Sequence, residues 1–505
     1  MPKNVILLHS DQQRADSLGC RGNPLARTPN LDRLAAGGTL FTRHVVGNPI
    51  CSPSRASLLT GLYPPGHNVW CNGVALNRRE YAAYDSRNER ERSQTGLGGF
   101  VPEPQTMADV FAAAGYRTAS FGKLHLTPYL APESYGYPET TANWSGGLFA
   151  DWQGPYYGFQ RVALTLGHGE GTCHAGHYGE WLKREHPDAL ARLSQERAGR
   201  LFPEIGDLYA SSLPFELHHT HWLAQQLVEY LRSRREGEPP FFAFVGFPDP
   251  HHPFTPCREI AEAFENLEVP DPVDPEGHGM AGSPVLALNQ QRLDGTSAQA
   301  VKHAVRYTHA MVHQLDLAVG MIVGALREAG LLEDTVIAFT SDHGDYLGDH
   351  GHLRKGFGAS NSLLHVPLVL HAPGSGLPPQ VDLPVSNCDV LPTLAALAGV
   401  AAPAGLHGRD LAEVVRAGNE HYAFAFSANG DPNSVNHTVY DAAHRLTWYP
   451  ASDFVELFDH RADPGECRNV AGEPQYRETV ADLTQLLARR LSAFYNPMLA
   501  RVCAW

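Results

Sequence analysis

Short uninterrupted apolar runs recur along the chain at Asn4–Ser10, Phe241–Phe247, Val336–Ser341 and Pro367–Leu370. Each is bounded by polar, Gly or Pro positions. Runs of that length predict strands covered on both faces. Between them, apolar residues return at helical spacing. Thr28-Pro29-Asn30 predicts an N-cap with Pro at the first helical position, followed by a stripe of Leu31, Leu34 and Ala35. Ala304, Met311, Leu315, Val319 and Ile322 mark a long helix over Val301–Ala329. Strands alternating with helices predict an α/β fold, a large mostly parallel sheet sandwiched by helices. Ligands of such sheets sit outside the carboxyl ends of the strands. Asp11 and Asp342 each follow a strand run directly.

The texture changes near Pro384–Gly408. Beyond it come alternating runs at Tyr422–Ser427, His437–Tyr440, Arg445–Tyr449 and Phe454–Phe458, then an amphipathic stripe of Val480, Leu483, Leu487 and Leu491. These predict an α/β domain over 1–400 and a C-terminal α+β subdomain over 401–505, with a small antiparallel sheet and a helix. Ser86–Gly99, Trp144–Gly179 and Val269–Ala298 read as loops that would shape a pocket.

Composition narrows the function classes. The 505 residues carry a net charge of −15 and no basic cluster, which argues against nucleic acid. The apolar run nearest to a membrane span, Val390–Leu406, is broken by Pro392 and Pro403. Val5–Leu8 is too short for a signal peptide. Eight Cys without paired spacing predict a reduced, cytoplasmic protein without membrane attachment. The apolar tail Phe494–Trp505 would suit a homo-oligomer contact.

The chemistry concentrates in four segments. Cys51-Ser-Pro-Ser-Arg55 stands out because this composition yields roughly 0.04 matches to Cys-x-Pro-x-Arg by chance. Ser10-Asp11-Gln12 and Ser341-Asp342-His343 offer hard oxygens and one imidazole, a set suited to Ca²⁺, Mg²⁺ or Mn²⁺. Two carboxylates converging without a cation would repel and lose hydration. The fourth group is cationic: Lys123 in Gly122-Lys-Leu-His125, the pair His251-His252, and Lys355, 13 residues past Asp342. Lys123 and Lys355 are two of only five lysines in the chain.

Cys51-Ser-Pro-Ser-Arg-Ala-Ser-Leu-Leu-Thr-Gly61 resembles the signature of the type I sulfatases of the alkaline phosphatase superfamily. Gly-Lys-x-His, Pro250-His-His-Pro253, Glu456-Leu-Phe-Asp459 and Asp463-Pro-Gly-Glu466 extend the resemblance along the chain. It implies an alkaline phosphatase-like fold. It also implies that Cys51 is oxidised to formylglycine by a formylglycine-generating enzyme. Asp11, Gln12, Asp342, His343 and residue 51 would hold one divalent metal, Ca²⁺ foremost. Arg55 would orient the aldehyde hydrate, Lys123 and Lys355 would neutralise the ester, and His251 or His125 would protonate the leaving oxygen. Asn72, 21 residues after Cys51, and His252 would bind substrate. Asp-Gln with Asp-His is similar to the choline-sulfatase and phosphonate monoester hydrolase branches.

The reading is therefore a sulfatase acting on a small-molecule sulfate monoester. A phosphonate monoester or phosphodiester hydrolase with the same nucleophile is the nearest rival, and an unmodified metal-binding protein the other. Remaining histidines read more simply. Cys173, His174, His177 and His168 fit no zinc template and suit pocket lining or loop surface. His218, His219 and His221 suit capping or exposure, and His309 and His313 a helix surface.

Overall fold

The structure, a computed structural model, describes residues 3–78, 103–196, 202, 204–285, 293 and 295–495. The loop Ser86–Gly99 and the tail beyond Tyr495 lie outside the described residues. Eight strands form the main sheet: β1 (Asn4–Ser10), β2 (Thr39–Val45), β3 (Arg117–Gly122), β4 (Arg161–Ala163), β5 (Phe241–Gly246), β6 (Thr335–Ser341), β7 (Leu368–His371) and β8 (Gln380–Ser386). Their order is β4-β3-β5-β1-β6-β7-β2-β8. Every pairing is parallel except those of β7 with β6 and β2. The sheet is therefore mostly parallel, as predicted. β2, β3, β4 and β8 escape the run-based reading because they mix Thr, Ser, Arg, Asp and Gln with apolar residues. β4 also lies inside Trp144–Gly179, so that span is not the plain loop expected.

Both faces of the central strands are buried, for the reason their sequence suggests. Ile6, Leu8, Ala243, Val245, Ile337 and Phe339 pack with Leu31, Leu223, Leu315 and Ile322 on one side. Those partners come from α1 (Pro29–Ala36), α4 (His219–Ser233) and α5 (Ala298–Glu328). Val5, Leu7, Phe242, Phe244, Val336 and Ala338 face Leu58, Phe111 and Leu391 on the other. These belong to α2 (Cys51–Thr60), α3 (Met107–Ala113) and α6 (Val390–Leu397). By length and composition α5 could cross a membrane, yet here its apolar stripe packs against the sheet. One expectation fails at α1. The Thr28 hydroxyl does not cap the helix. The Asp316 carboxylate of α5 takes that role, accepting from Asn30 N at 3.0 Å and Leu31 N at 2.8 Å.

Strands β9 (Ala423–Ser427), β10 (Asn436–Tyr440), β11 (His444–Tyr449) and β12 (Phe454–Asp459) form a separate antiparallel sheet. Leu483 and Leu487 of α7 (Arg477–Phe494) close its core against Phe426, Leu446 and Leu457. Val45 and Val46, at the end of β2, pack on Ala423, Ala425 and Tyr440. Inside this lobe, buried Arg445 bridges Glu466 at 2.6 Å and Glu456 at 3.3 Å.

Candidate active site

Strand register brings the four segments together. Ser10 lies opposite Ser341, and His9 lies between Gly246 and Thr340. The chain therefore leaves β1, β5 and β6 at one edge, carrying Asp11, the Asp249–Pro253 turn and Asp342 side by side. β3 delivers Lys123 at the same edge, where its N–H donates to the Gly246 carbonyl at 2.8 Å. The fit there is tight: a Cβ on Gly122 would stand 2.1 Å from the Gly246 oxygen. Cys51 opens α2 six residues beyond the end of β2. No side chain of its N-cap closes this helix. Instead the Asn72 amide oxygen accepts from Ser52 N at 3.0 Å.

Cys51 Sγ is fully buried. It lies 2.6 Å from Lys355 Nζ, 3.2 Å from His343 Nε2 and 3.9 Å from Asp11 Oδ1. Arg55, one turn along α2, is also fully buried and locks the acidic loops. Its Nε donates to Asp342 Oδ2 at 2.8 Å, its Nη2 to Asp11 Oδ2 at 3.0 Å and its Nη1 to the Lys123 carbonyl at 2.8 Å. Lys123 Nζ pairs with Asp11 and meets His168 Nε2. Lys355 Nζ reaches His251 Nε2 at 2.8 Å and His343 Nε2 at 3.1 Å.

The charges set one another's protonation. Burial and Asp11 push the Cys51 thiol up, but Lys123, Lys355 and His343 outweigh them and hold it well below the usual thiol range. Burial likewise opposes ionisation of Asp11, yet Lys123 and Arg55 keep its carboxyl well below the ordinary value. Asp342 is lowered by Arg55 against both burial and Asp11. Burial and the neighbouring His168 and Lys355 push His251 well below the usual imidazole range. The centre thus favours anionic oxygen and sulfur beside fixed cations and a neutral imidazole.

The donor set fits a divalent ion. Ligating atoms of Asp11, Cys51, Asp342 and His343 all lie within 4.8 Å of one another. Gln12 adopts a left-handed backbone (φ 62°), donates N–H to Asp342 Oδ1 at 3.0 Å and Nε2–H to Asp345 at 2.6 Å. Its Oε1 is buried without a protein partner. An unpaired buried amide oxygen beside two carboxylates is what a hard cation would satisfy.

All four sequence-derived segments converge. Among the described residues, both ring nitrogens of buried His125 have no hydrogen-bond partner, which leaves them open to a ligand. Asn72 sits at the first turn of α2, its Oδ1 accepting from the N–H of Ser52 next to Cys51. His252 stacks on the His251 ring, with centroids 4.3 Å apart, while its Nδ1 turns away to Asp207 Oδ2 at 3.0 Å, which also pairs with Arg354. Other histidines were misread. His218 does cap α4, accepting from Thr220 N at 3.3 Å, but it and His219 are buried. His219 Nε2 bonds Asp249 at 2.9 Å, and His218 lies 3.9 Å from the same carboxylate. His309 is buried too. His168 separates from Cys173, His174 and His177 and joins the centre. Nothing in its local sequence beyond the flanking Gly167 and Gly169 hinted at this.

The fold and site together define a class: an α/β protein with a buried cysteine, a set of acids arranged as candidate cation ligands and two lysines beside them. Residues 3–400 match the family model described as Sulfatase, and the chain belongs to the sulfatase family. Residues 348–492 also match the N-sulphoglucosamine sulphohydrolase C-terminal model. The chain is 26% identical to the Arylsulfatase of Clostridium perfringens, covering 97% of this chain and 95% of that one. It is 28% identical to the Multifunctional alkaline phosphatase superfamily protein PehA of Trinickia caryophylli, covering 97% and 95%. The structure of the Phosphonate Monoester Hydrolase of Agrobacterium radiobacter superposes with a TM-score of 0.75 at 25% identity, over 97% of this chain and 96% of that one.

Proposed function

We propose that this chain hydrolyses a sulfate monoester, with formylglycine at position 51 and one divalent ion, Ca²⁺ before Mn²⁺ or Mg²⁺, held by Asp11, Gln12, Asp342, His343 and residue 51. The observation that carries the reading is Cys51 itself. It is buried at the start of α2, within 3.2 Å of His343 and 2.6 Å of Lys355, with Arg55 spanning both acidic loops. Sγ stands where the formylglycine oxygen would lie.

A formylglycine at position 51 would supply, as its hydrate, a geminal diol whose one oxygen could accept the sulfuryl group while the other allowed the aldehyde to re-form and sulfate to leave. The ion supplies positive charge for the nucleophile and the non-bridging oxygens. The chain's own residues do the rest. Arg55 fixes Asp11 and Asp342 so that the donors converge. Lys123 and Lys355 face the ester's negative oxygens, and such preorganised charge is the largest share of catalysis of this kind. A bound ester would bring negative charge that raises the lowered imidazoles beside it, and His251, bonded to Lys355, or His125 would then protonate the departing oxygen.

Cys51 is closed off in the folded chain, so a formylglycine-generating enzyme would act before folding is complete. We place the protein in the cytoplasm on its Cys usage, with 1–400 as the catalytic domain and 401–505 as the C-terminal subdomain. The likeness to a phosphonate monoester hydrolase, together with Lys355 and Asn72, favours a second reading as a phosphonate monoester or phosphodiester hydrolase. Rates on aryl sulfate, aryl phosphonate and aryl diester, measured side by side on protein whose residue 51 has been weighed by peptide mass spectrometry, decide between them. Fastest turnover of the sulfate is expected. A clear phosphonate preference selects the second reading. An intact thiol with no hydrolysis of any substrate, in protein made alongside the oxidising enzyme, removes both.

A further inference from the structure

His168 lies in the loop after β4, between two glycines with left-handed backbone, Gly167 (φ 76°) and Gly169 (φ 50°). This loop rests on the segment that carries His251. A Cβ on Gly169 would come within 3.0 Å of Thr255 Oγ1 and 3.2 Å of Pro253 Cδ. The His168 ring lies flat on the His251 ring, with centroids 3.5 Å apart and planes 11° from parallel. Its edge meets Lys123 through Nε2. The loop is tied further to the base of the His251 segment. Thr172 Oγ1 donates to the Gly169 carbonyl at 2.7 Å and lies 3.4 Å from His219 Nδ1, while His219 Nε2 bonds Asp249 at 2.9 Å.

Ligating atoms of Asp11, Cys51, His168 and His251 lie within 4.8 Å of one another, so a second metal is the obvious competing use. The geometry argues otherwise. Lys123 already meets His168 Nε2, and Lys355 already meets His251 Nε2 at 2.8 Å. This set shares Asp11 and Cys51 with the first and adds no carboxylate of its own, so an ion there would face both ammonium groups with a single shared acid. His168 lies 3.7 Å from Asp11 Oδ2 and interacts with the Cys51 side chain, but its firmest contacts are with two groups the reaction uses, Lys123 by its edge and His251 by its face.

We propose that His168 is a positioning residue: pinned by Lys123 and stacked on His251, its ring holds the His251 imidazole in line with the departing oxygen. The inference rests on the sulfatase reading and on His251 as proton donor. Alignment matters most where proton donation matters most. General acid catalysis is worth about 10²- to 10⁴-fold, and a displacement of about 1 Å costs about 10². A strongly basic leaving group needs that proton, whereas a weakly basic one leaves without it.

The experiment compares 4-nitrophenyl sulfate, with a weakly basic leaving group, and phenyl sulfate, with a more basic one. The proteins are formylglycine-bearing wild type, His168→Ala, His168→Phe and His168→Asn. Wild-type turnover of both substrates tests the sulfatase reading by itself, and its absence would count against that reading rather than against His168. In His168→Ala, kcat on phenyl sulfate is expected to fall about tenfold further than kcat on 4-nitrophenyl sulfate, with KM moving less than about threefold. His168→Phe keeps a ring face without an acceptor and should recover most of the phenyl sulfate rate. His168→Asn keeps polarity without the stack and should behave like His168→Ala. Should His168→Ala not fold, as judged by its melting curve, the Phe and Asn variants carry the same comparison. Equal losses on both substrates, or a Phe variant no better than Asn, would overturn the proposal.

Discussion

Replacing Arg55 by Met tests the electrostatic design of the centre directly. Arg55 is wholly buried and supplies the bonds at 2.8 Å to Asp342 and 3.0 Å to Asp11. Without it Asp11 keeps Lys123, whereas Asp342 keeps chiefly the Gln12 N–H. A carboxylate stranded in this way relieves itself by taking a proton. Holding one protonated at pH 7, from an ordinary value of about 3.9, costs about 4 kcal/mol. That limits the penalty and agrees with about 3–5 kcal/mol for stripping one partner from a buried pair. The pH dependence carries the sign. In the wild type, Asp11 and Asp342 are depressed. Their contribution is complete above about pH 4 and is lost as pH falls through the folded values. In Arg55→Met, Asp342 is raised instead, so its protonated folded form loses stability as pH climbs from about 4 towards the new value. Urea unfolding in chelator, followed by Trp fluorescence at pH 5 and pH 8, reads the difference. The midpoint deficit of the variant should be larger at pH 8. An equal deficit at both pH values, or none, would refute the counter-charge role assigned to Arg55.

Three further outcomes follow from the geometry. Cys51→Ala should abolish hydrolysis while leaving the melting temperature close to wild type, because the change removes the nucleophile but none of the Arg55 bonds; retained turnover would show that residue 51 is not the nucleophile. Exhaustive chelation should remove activity and addition of Ca²⁺, Mn²⁺ or Mg²⁺ restore it, the order of recovery identifying the preferred ion. Arg445→Met should cost the C-terminal lobe about 3–5 kcal/mol, since Glu456 and Glu466 would both lose their buried partner; limited proteolysis should cut this lobe first, and resistance equal to wild type would contradict the prediction.

The site was legible in one dimension wherever the chemistry is local. Cys51 and Arg55 lie four apart on one helix, so their spacing already places them together. Asp11 and Asp342 each end an apolar run, so the rule for parallel sheets predicts them at one edge. The C-terminal strands were equally readable, because one face of that sheet packs Phe426, Val439, Leu446 and Leu457 against α7 while the other buries polar Thr438, Arg445, Thr447 and Glu456, so side chains alternate along each strand. β2, β3, β4 and β8 left no such mark. Thr, Ser and Arg in those strands are accommodated by neighbours that local sequence cannot name. The histidines divide in the same way. His251 and His125 were found through motifs, whereas His168, His218, His219 and His309 were read as pocket lining, caps or surface.

Sequence alone therefore determined the fold class and singled out Cys51, the acid pairs and the lysines, because each depends on short-range spacing or on a single strand end. Only the tertiary structure decided that Asn72 serves the first turn of α2, that His252 turns to Asp207, and that His168 lies flat on His251. These depend on loops from different strands meeting in space, and imidazole, unlike a carboxylate or an ammonium, can be buried neutral as readily as exposed. Its role is set by the neighbours that folding brings to it.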